Sequence, residues 1–124
     1  MDPHRAERVA EALREELAEI IEYELSDPRL AGLSVTAVHL TPDLRQAHVL
    51  VVSAGDAGQR RGAREGLEHA EQYLRRELSS RLRLWRVPEL HFAVDQPSGP
   101  ASRVEELLEQ VRETQKKDTG SGEK

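Results

Sequence analysis

The stretch "LSVTAVHLTPDLRQAHVLVVS", residues 33–53, decides the fold. Its first part, "LSVTAVHL" (33–40), is rich in β-branched residues and reads as a strand, and "QAHVLVVS" (46–53) reads as a second. Pro42 and Asp43 between them supply turn chemistry, so the pair forms a hairpin. The run Val49-Leu50-Val51-Val52 is apolar on both faces, as a central strand requires. Further along, "ELHFAV" (89–94) alternates at Leu90, Phe92 and Val94 and gives a third strand. Helical sequence joins strands two and three, which favours a right-handed crossover and a parallel pairing.

Helices flank these strands. Asp2-Pro3 is a helix opening, a capping carboxylate followed by proline at the first helical position. Val9, Leu13, Leu17, Ile20, Ile21 and Leu25 then recur at helical spacing, with Glu15, Glu19 and Glu22 on the opposite, solvated face. Ser26-Asp27-Pro28 stops this helix, because proline disfavours helical backbone at the residue before it. After a connector, "AGDAGQRRG" (54–62), a second helical pattern starts near Gln59 and runs through Ala63, Leu67, Ala70, Leu74 and Leu78. Leu82 continues the series but Leu84 and Trp85 do not, which predicts a bend or an end near Ser79-Ser80 or just beyond. Ser102 and Glu105 form a capping box for a short C-terminal helix through Val104, Leu107, Leu108 and Val111. From Thr114, "TQKKDTGSGEK" has nothing to bury and is expected to be disordered.

The expectation is therefore an α+β fold, a mixed three-stranded sheet with helices on one face. One domain spans 1–113 and a tail spans 114–124. Leu17, Ile21, Val49, Val51, Leu74, Leu78 and Phe92 are its expected core, where truncating one residue to Ala costs on the order of 2–5 kcal/mol.

Composition narrows the function. At 124 residues the chain supports a single core, and with 3% aromatic residues that core is aliphatic. No cysteine is present, which excludes disulfides and thiolate metal sites and fits a reducing cytoplasm. No apolar run approaches the length of a membrane span, and the N-terminus lacks the basic-then-apolar layout of a signal peptide, so a cytoplasmic protein is expected. Catalysis has little to stand on: no nucleophile elbow, Walker loop or HExxH occurs, and the histidines at 4, 39, 48, 69 and 91 include no helical i, i+4 pair. His39 and His48 facing one another across the hairpin form the one metal-like pairing, and two ligands without cysteine make a poor metal site. Neither metal nor cofactor is expected. "GDAG" (55–58) matches a Gly-x-x-Gly loop that clamps nucleic acid in KH domains, but it lies between strand and helix and carries Asp56 where phosphate would sit. It reads as a connector.

Charge is unevenly distributed. The net formal charge is -5, yet residues 1–28 hold nine acidic side chains against three arginines, and residues 60–86 hold eight arginines against four glutamates. Such asymmetry leaves one face that repels polyanions and one that attracts them. Arg75, Arg76, Arg81, Arg83 and Arg86 lie in "LRRELSSRLRLWRVPEL" (74–90), and arginine is the side chain that best pairs phosphate in bidentate geometry. Against this stands the chain's general preference for arginine over lysine, 15 to 3, and the chance that Arg76 pairs with Glu77 or another nearby glutamate. Trp85 reads either as a base-stacking platform or, in the favoured reading, as a cap on the core where helix meets strand.

"RAERVAEALREELAEIIEYELSDPRL", "VTAVHLTPDLRQAHVLV", "LRRELSSRLRLWRVPELHF" and "RVEELL", in that order and spacing, resemble the bacterial ribosome-binding factor A family from about Arg5 to Val111. The resemblance implies a type II KH-like fold of order α-β-β-α-α-β plus the short C-terminal helix. It also implies a non-catalytic, monomeric assembly factor that binds the small ribosomal subunit and supports late maturation of its ribosomal RNA, including the 5′ end. Members matter for growth in the cold. The family kinks its central helices at an Ala-x-Gly triplet, which falls here on Ala70, Glu71 and Gln72, without the glycine. A weaker bend, or one nearer Ser79, follows. The family's basic surface maps onto Arg75, Arg76, Arg81 and Arg83, with Arg86 beside them and Arg45 and Arg29 from neighbouring loops. The partners implied are the small subunit and its RNA, with no DNA and no membrane. The rival reading is a protein–protein module that meets ribosomal proteins with little direct RNA contact.

Overall fold

The computed structural model describes residues 4–97 together with 108, 109 and 111. The Asp2-Pro3 opening, the Ser102–Glu105 capping box and the 114–124 tail lie outside the described residues. Of the expected C-terminal helix, Leu108, Glu109 and Val111 are described, and all three are helical.

Helix α1 (Arg5–Glu19) is followed by a single π-helical turn at Ile20–Glu24, and Pro28–Leu30 forms a 3₁₀ turn. Strands β1 (Leu33–Leu40) and β2 (Gln46–Ser53), helix α2 (Ala57–Leu82) and strand β3 (Glu89–Asp95) complete the order. The sheet order is β1-β2-β3, with β1 antiparallel and β3 parallel to the central β2.

The hydrophobic spacing explains the layers. Ala47, Val49 and Val51 alternate along β2 and join Leu13, Leu17, Ile20 and Ile21 of the first helical segment and Leu67, Leu74 and Leu78 of α2 in one buried cluster. Helix α1 packs on β1, and α2 packs on β3 and α1. Phe92 is partly buried at the edge of that cluster. The π turn reconciles the consecutive Ile20 and Ile21, both buried, with the preceding i, i+4 stripe: the Leu25 N–H donates to Ile20 O at 3.0 Å, widening the turn by one residue.

Two glutamates serve backbone donors, and one of them, Glu22, leaves the solvated face expected for it. Glu22 Oε2 accepts from the Val35 N–H at 3.1 Å, beside the β-bulge between Val35 and Ala37. Glu71 Oε2 accepts from Leu90 N at 3.0 Å. A carboxylate thus serves a backbone donor on each outer strand of the sheet, which blunts an otherwise sticky edge.

The architecture is the α+β, KH-like arrangement that the resemblance implies, with one correction. The two central helices are a single α2 that runs without interruption through Ala70, Glu71 and Gln72. Without the family's glycine at Gln72, nothing at the triplet weakens the helix. Instead α2 ends past Ser80, where Arg83 adopts left-handed backbone (φ 51) and Ser79 O receives the N–H groups of Arg83 and Leu84.

Candidate nucleic-acid interface

The expected arginines do not form one surface. Their roles separate according to which partners the fold supplies.

Arg81 is committed to the fold. Its guanidinium donates to both oxygens of Glu24 and, at 3.1 Å, to Glu77 Oε1, tying α2 to the end of the first helical segment. The hydrogen bonds from Arg81 hold the Glu24 carboxyl below the usual carboxylate range, and those to Glu24 and Glu77 push the Arg81 guanidinium further up. Arg29 forks onto Asp27 at 2.7 Å and reaches His69 Nδ1 at 3.3 Å. Arg75 donates to Val87 O at 3.1 Å and so fixes the α2–β3 loop. Arg76 is exposed on α2. Glu77, its anticipated partner, pairs with Arg81 instead.

Of the remaining three, Arg45 and Arg86 meet at one end of the domain, where the β1–β2 turn, the α2–β3 loop and the start of α1 converge, and Arg83 is exposed where α2 gives way to that loop. Arg5, which the sequence reading did not single out, joins Arg45 and Arg86 there. Arg5, Arg45 and Arg86 line a cleft of about 330 Å³ whose apolar floor includes Val9, Leu40, Leu44 and Pro88. Arg83 stands immediately before Leu84, another lining residue. Arg5, Arg83 and Arg86 hold no ion pair with a described residue. Their charge is therefore available to a polyanion.

Trp85 also lines this cleft and is 99% exposed. This corrects the expectation that it caps the core. Its neighbours Leu84 and Val87 take that role, packed against the buried cluster. The one acid at the cleft is Asp43. Burial works against its charge, but hydrogen bonds from the Thr41 hydroxyl (2.6 Å) and the Arg45 N–H (3.0 Å) outweigh that, and its pKa lies below the usual value. Those bonds shape the turn, in which Leu44 N donates to Thr41 O at 2.8 Å.

The connector "GDAG" is not a phosphate clamp. Asp56 is the N-cap of α2, accepting from Gln59 N at 2.8 Å while Gln59 Oε1 accepts from Asp56 N at 2.8 Å, a reciprocal capping box. Gly55 is required beside it, because a Cβ there would come within 2.8 Å of Gln59 Cβ.

The histidine pair is real and has a third member. His39 faces His48 across the hairpin, and His48 faces His91 across the parallel pair. Among the described residues no group of three His, Cys, Asp or Glu is placed to hold a metal ion. No described helix is long and apolar enough to cross a membrane.

Comparison with known proteins agrees with this architecture. The ribosome-binding factor A family profile matches residues 5–108. The chain is 49% identical to ribosome-binding factor A of Solibacter usitatus over 92% of its own length and 93% of that protein's. It is 40% identical to that of Thermomicrobium roseum over 99% and 95%. Among solved structures, it is similar to the crystal structure of ribosome-binding factor A from Thermus thermophilus, with TM-score 0.66, 34% identity and coverage of 77% of this chain and 99% of that one. It is also similar to a homology model of the Thermus thermophilus factor as fitted into the cryo-EM map of a complex of that factor with 30S, with TM-score 0.61, 36% identity and coverage of 73% and 94%. The chain belongs to the ribosome-binding factor A family.

Proposed function

We propose that this protein is a non-catalytic assembly factor that docks on the small ribosomal subunit and assists late maturation of its RNA, including processing of the 5′ end. It acts in the cytoplasm as a monomer and needs no metal or cofactor. Family membership supports the class of function, and the fitting of a Thermus thermophilus relative into a 30S complex supports the partner. The observation in this chain that carries the RNA reading is the gathering of Arg5, Arg45 and Arg86 around one cleft, with Arg83 exposed next to its lining residue Leu84, in a protein of net charge -5. Arginines concentrated on one end of an acidic protein suit phosphate, and binding of this kind weakens steeply with salt.

Co-sedimentation with purified small and large subunits across a salt series tests this, with circular dichroism as the folding control. The expected result is binding to the small subunit alone, lost as salt rises, and weakened in Arg83→Glu/Arg86→Glu without loss of fold. Arg81→Glu is unsuitable as a probe, since it would set three carboxylates together at Glu24 and Glu77. Binding that ignores salt and the double variant would favour docking on ribosomal proteins instead. For the maturation role, primer extension should show unprocessed 5′ ends of small-subunit RNA in depleted cells and mature ends on re-expression.

A further inference from the structure

A tryptophan side chain usually contributes to stability by burial, so one left 99% exposed needs another account. The loop that carries Trp85 is not loose. The Ser79 hydroxyl donates to Leu84 O at 3.4 Å, Leu84 N donates to Ser79 O at 3.3 Å, and Arg75 holds Val87 O at 3.1 Å. Glu89 N donates to Arg45 O at 2.9 Å, which locks the end of this loop to the β1–β2 turn. Leu84 and Val87 pack on the core on either side, and Pro88 is buried. The indole is thus presented by a braced loop, its surroundings ordered before any partner arrives.

Backbone strain points to the same place. Among the described residues, two that are not glycine have positive φ, Leu44 at 62° and Arg83 at 51°. Leu44 is in the floor of the cleft and Arg83 is adjacent to its wall. Left-handed backbone is costly for a branched or long side chain, and such residues tend to gather at binding sites.

We propose that this cleft holds one unstacked base of single-stranded RNA, its ring laid against Trp85 and its flanking phosphates held by Arg86, Arg45 and Arg5, with Arg83 at the approach. The proposal rests on the small-subunit reading above and gives it a ligand: an unpaired nucleotide rather than a duplex. A duplex keeps its base faces stacked inside the helix, where no indole reaches them. The cleft volume of about 330 Å³ falls within the range of small-ligand clefts. Its apolar floor suits a ring and its cationic rim suits the backbone, the pairing of features that single-strand binders use. Tryptophan and arginine also anchor protein interfaces, so the choice of RNA rests on the excess of cations: three arginines line the cleft against one carboxylate, Asp43, which suits a polyanion.

Trp85 is the sole tryptophan in the chain, so its fluorescence reports on this site alone. The full-length protein is titrated at low salt with a short single-stranded oligoadenylate and with a blunt RNA duplex of matched charge. Saturable quenching by the single strand and little by the duplex is expected. Trp85→Ala, followed by anisotropy of labelled RNA, should weaken single-strand binding about 5- to 150-fold, the range for loss of one base–aromatic stack. Trp85→Phe should restore most of it, and neither variant should change the thermal melt. Equal quenching by duplex, or unchanged single-strand affinity in Trp85→Ala, overturns the proposal. So does a Trp85 signal that answers to isolated ribosomal proteins and not to RNA. Co-sedimentation separates this from the broader reading. If Trp85→Ala still binds small subunits like the wild type while Arg83→Glu/Arg86→Glu does not, the base cleft is wrong and the assembly-factor reading stands. If the wild type fails to bind subunits at all, that reading falls, and the oligonucleotide titration still decides the cleft.

Discussion

His48 lies on the central strand with only 4% of its surface exposed, and neither ring nitrogen has a hydrogen-bond partner among the described residues. It points away from the helices, opposite to Val49, and stacks on His91 with ring centroids 5.1 Å apart. Burial, with the nearby His91 and His39 adding, lowers its pKa from 6.5 to about 4. The folded state therefore holds His48 neutral at a pH where the unfolded chain already binds a proton. Unfolding takes up protons between these values, so stability falls as pH drops below 6.5 and the whole penalty is present below about 4. At about 1.4 kcal/mol per pKa unit, the upper bound is roughly 3.5 kcal/mol. Urea denaturation from pH 7 to pH 4 should show this loss, and His48→Leu should remove most of it. His39, whose pKa burial also lowers, leaves a residual slope of the same sign. The pairing of His39 with His48 was legible in the hairpin, because register follows from alternation. The addition of His91 depended on the parallel register of β3, which no local pattern encodes.

Helix α2 shows how much of an element a sequence reveals. The stripe of Ala63, Leu67, Leu74 and Leu78 was legible, since helical periodicity records which side faces the core. The continuity through Ala70–Gln72 and the π turn at Ile20–Glu24 were not. Both depend on hydrogen bonds made over one turn of backbone, and the side-chain pattern constrains them only loosely. Its two interior glycines near the start make a controlled comparison. A Cβ at Gly62 meets nothing within 4 Å, so Gly62→Ala should raise stability by about 0.5–1 kcal/mol through helix propensity alone. At Gly66 the same Cβ would lie 3.0 Å from Leu30 Cδ2 and 3.3 Å from Asp27 Oδ2, against a buried leucine and an ion-paired carboxylate. Gly66→Ala should therefore forfeit the gain and match or fall below the wild type in urea denaturation. Equal stabilisation by both would show that the Asp27–Leu30 turn moves freely.

At the scale of the whole molecule, the separation of charge is also a separation of duties. The acidic segment sends Glu22 to β1 and Glu24 to Arg81, so part of what looked like a solvated acidic face is structural mortar. Part of the arginine run likewise serves the fold, through Arg81, Arg75 and, outside the run, Arg29. Composition counted these residues correctly but could not assign them, because an ion pair between Glu24 and Arg81 links positions far apart in the chain. The same was true of Trp85, whose place at a junction was visible while its outward orientation was not. The parallel pairing has a further consequence for how the protein is made. Gln46 of β2 waits for Glu89 of β3 until all of α2 has been synthesised. Until then the nascent chain presents "AHVLVV" (47–52) as an uncharged, unpaired strand edge, apolar on both sides and without a proline to interrupt it. A chain ended after Leu82 should scatter light and pellet where the full-length protein stays clear. Synthesis itself is thus the interval in which this protein is most exposed to aggregation, and the arrival of β3 closes it.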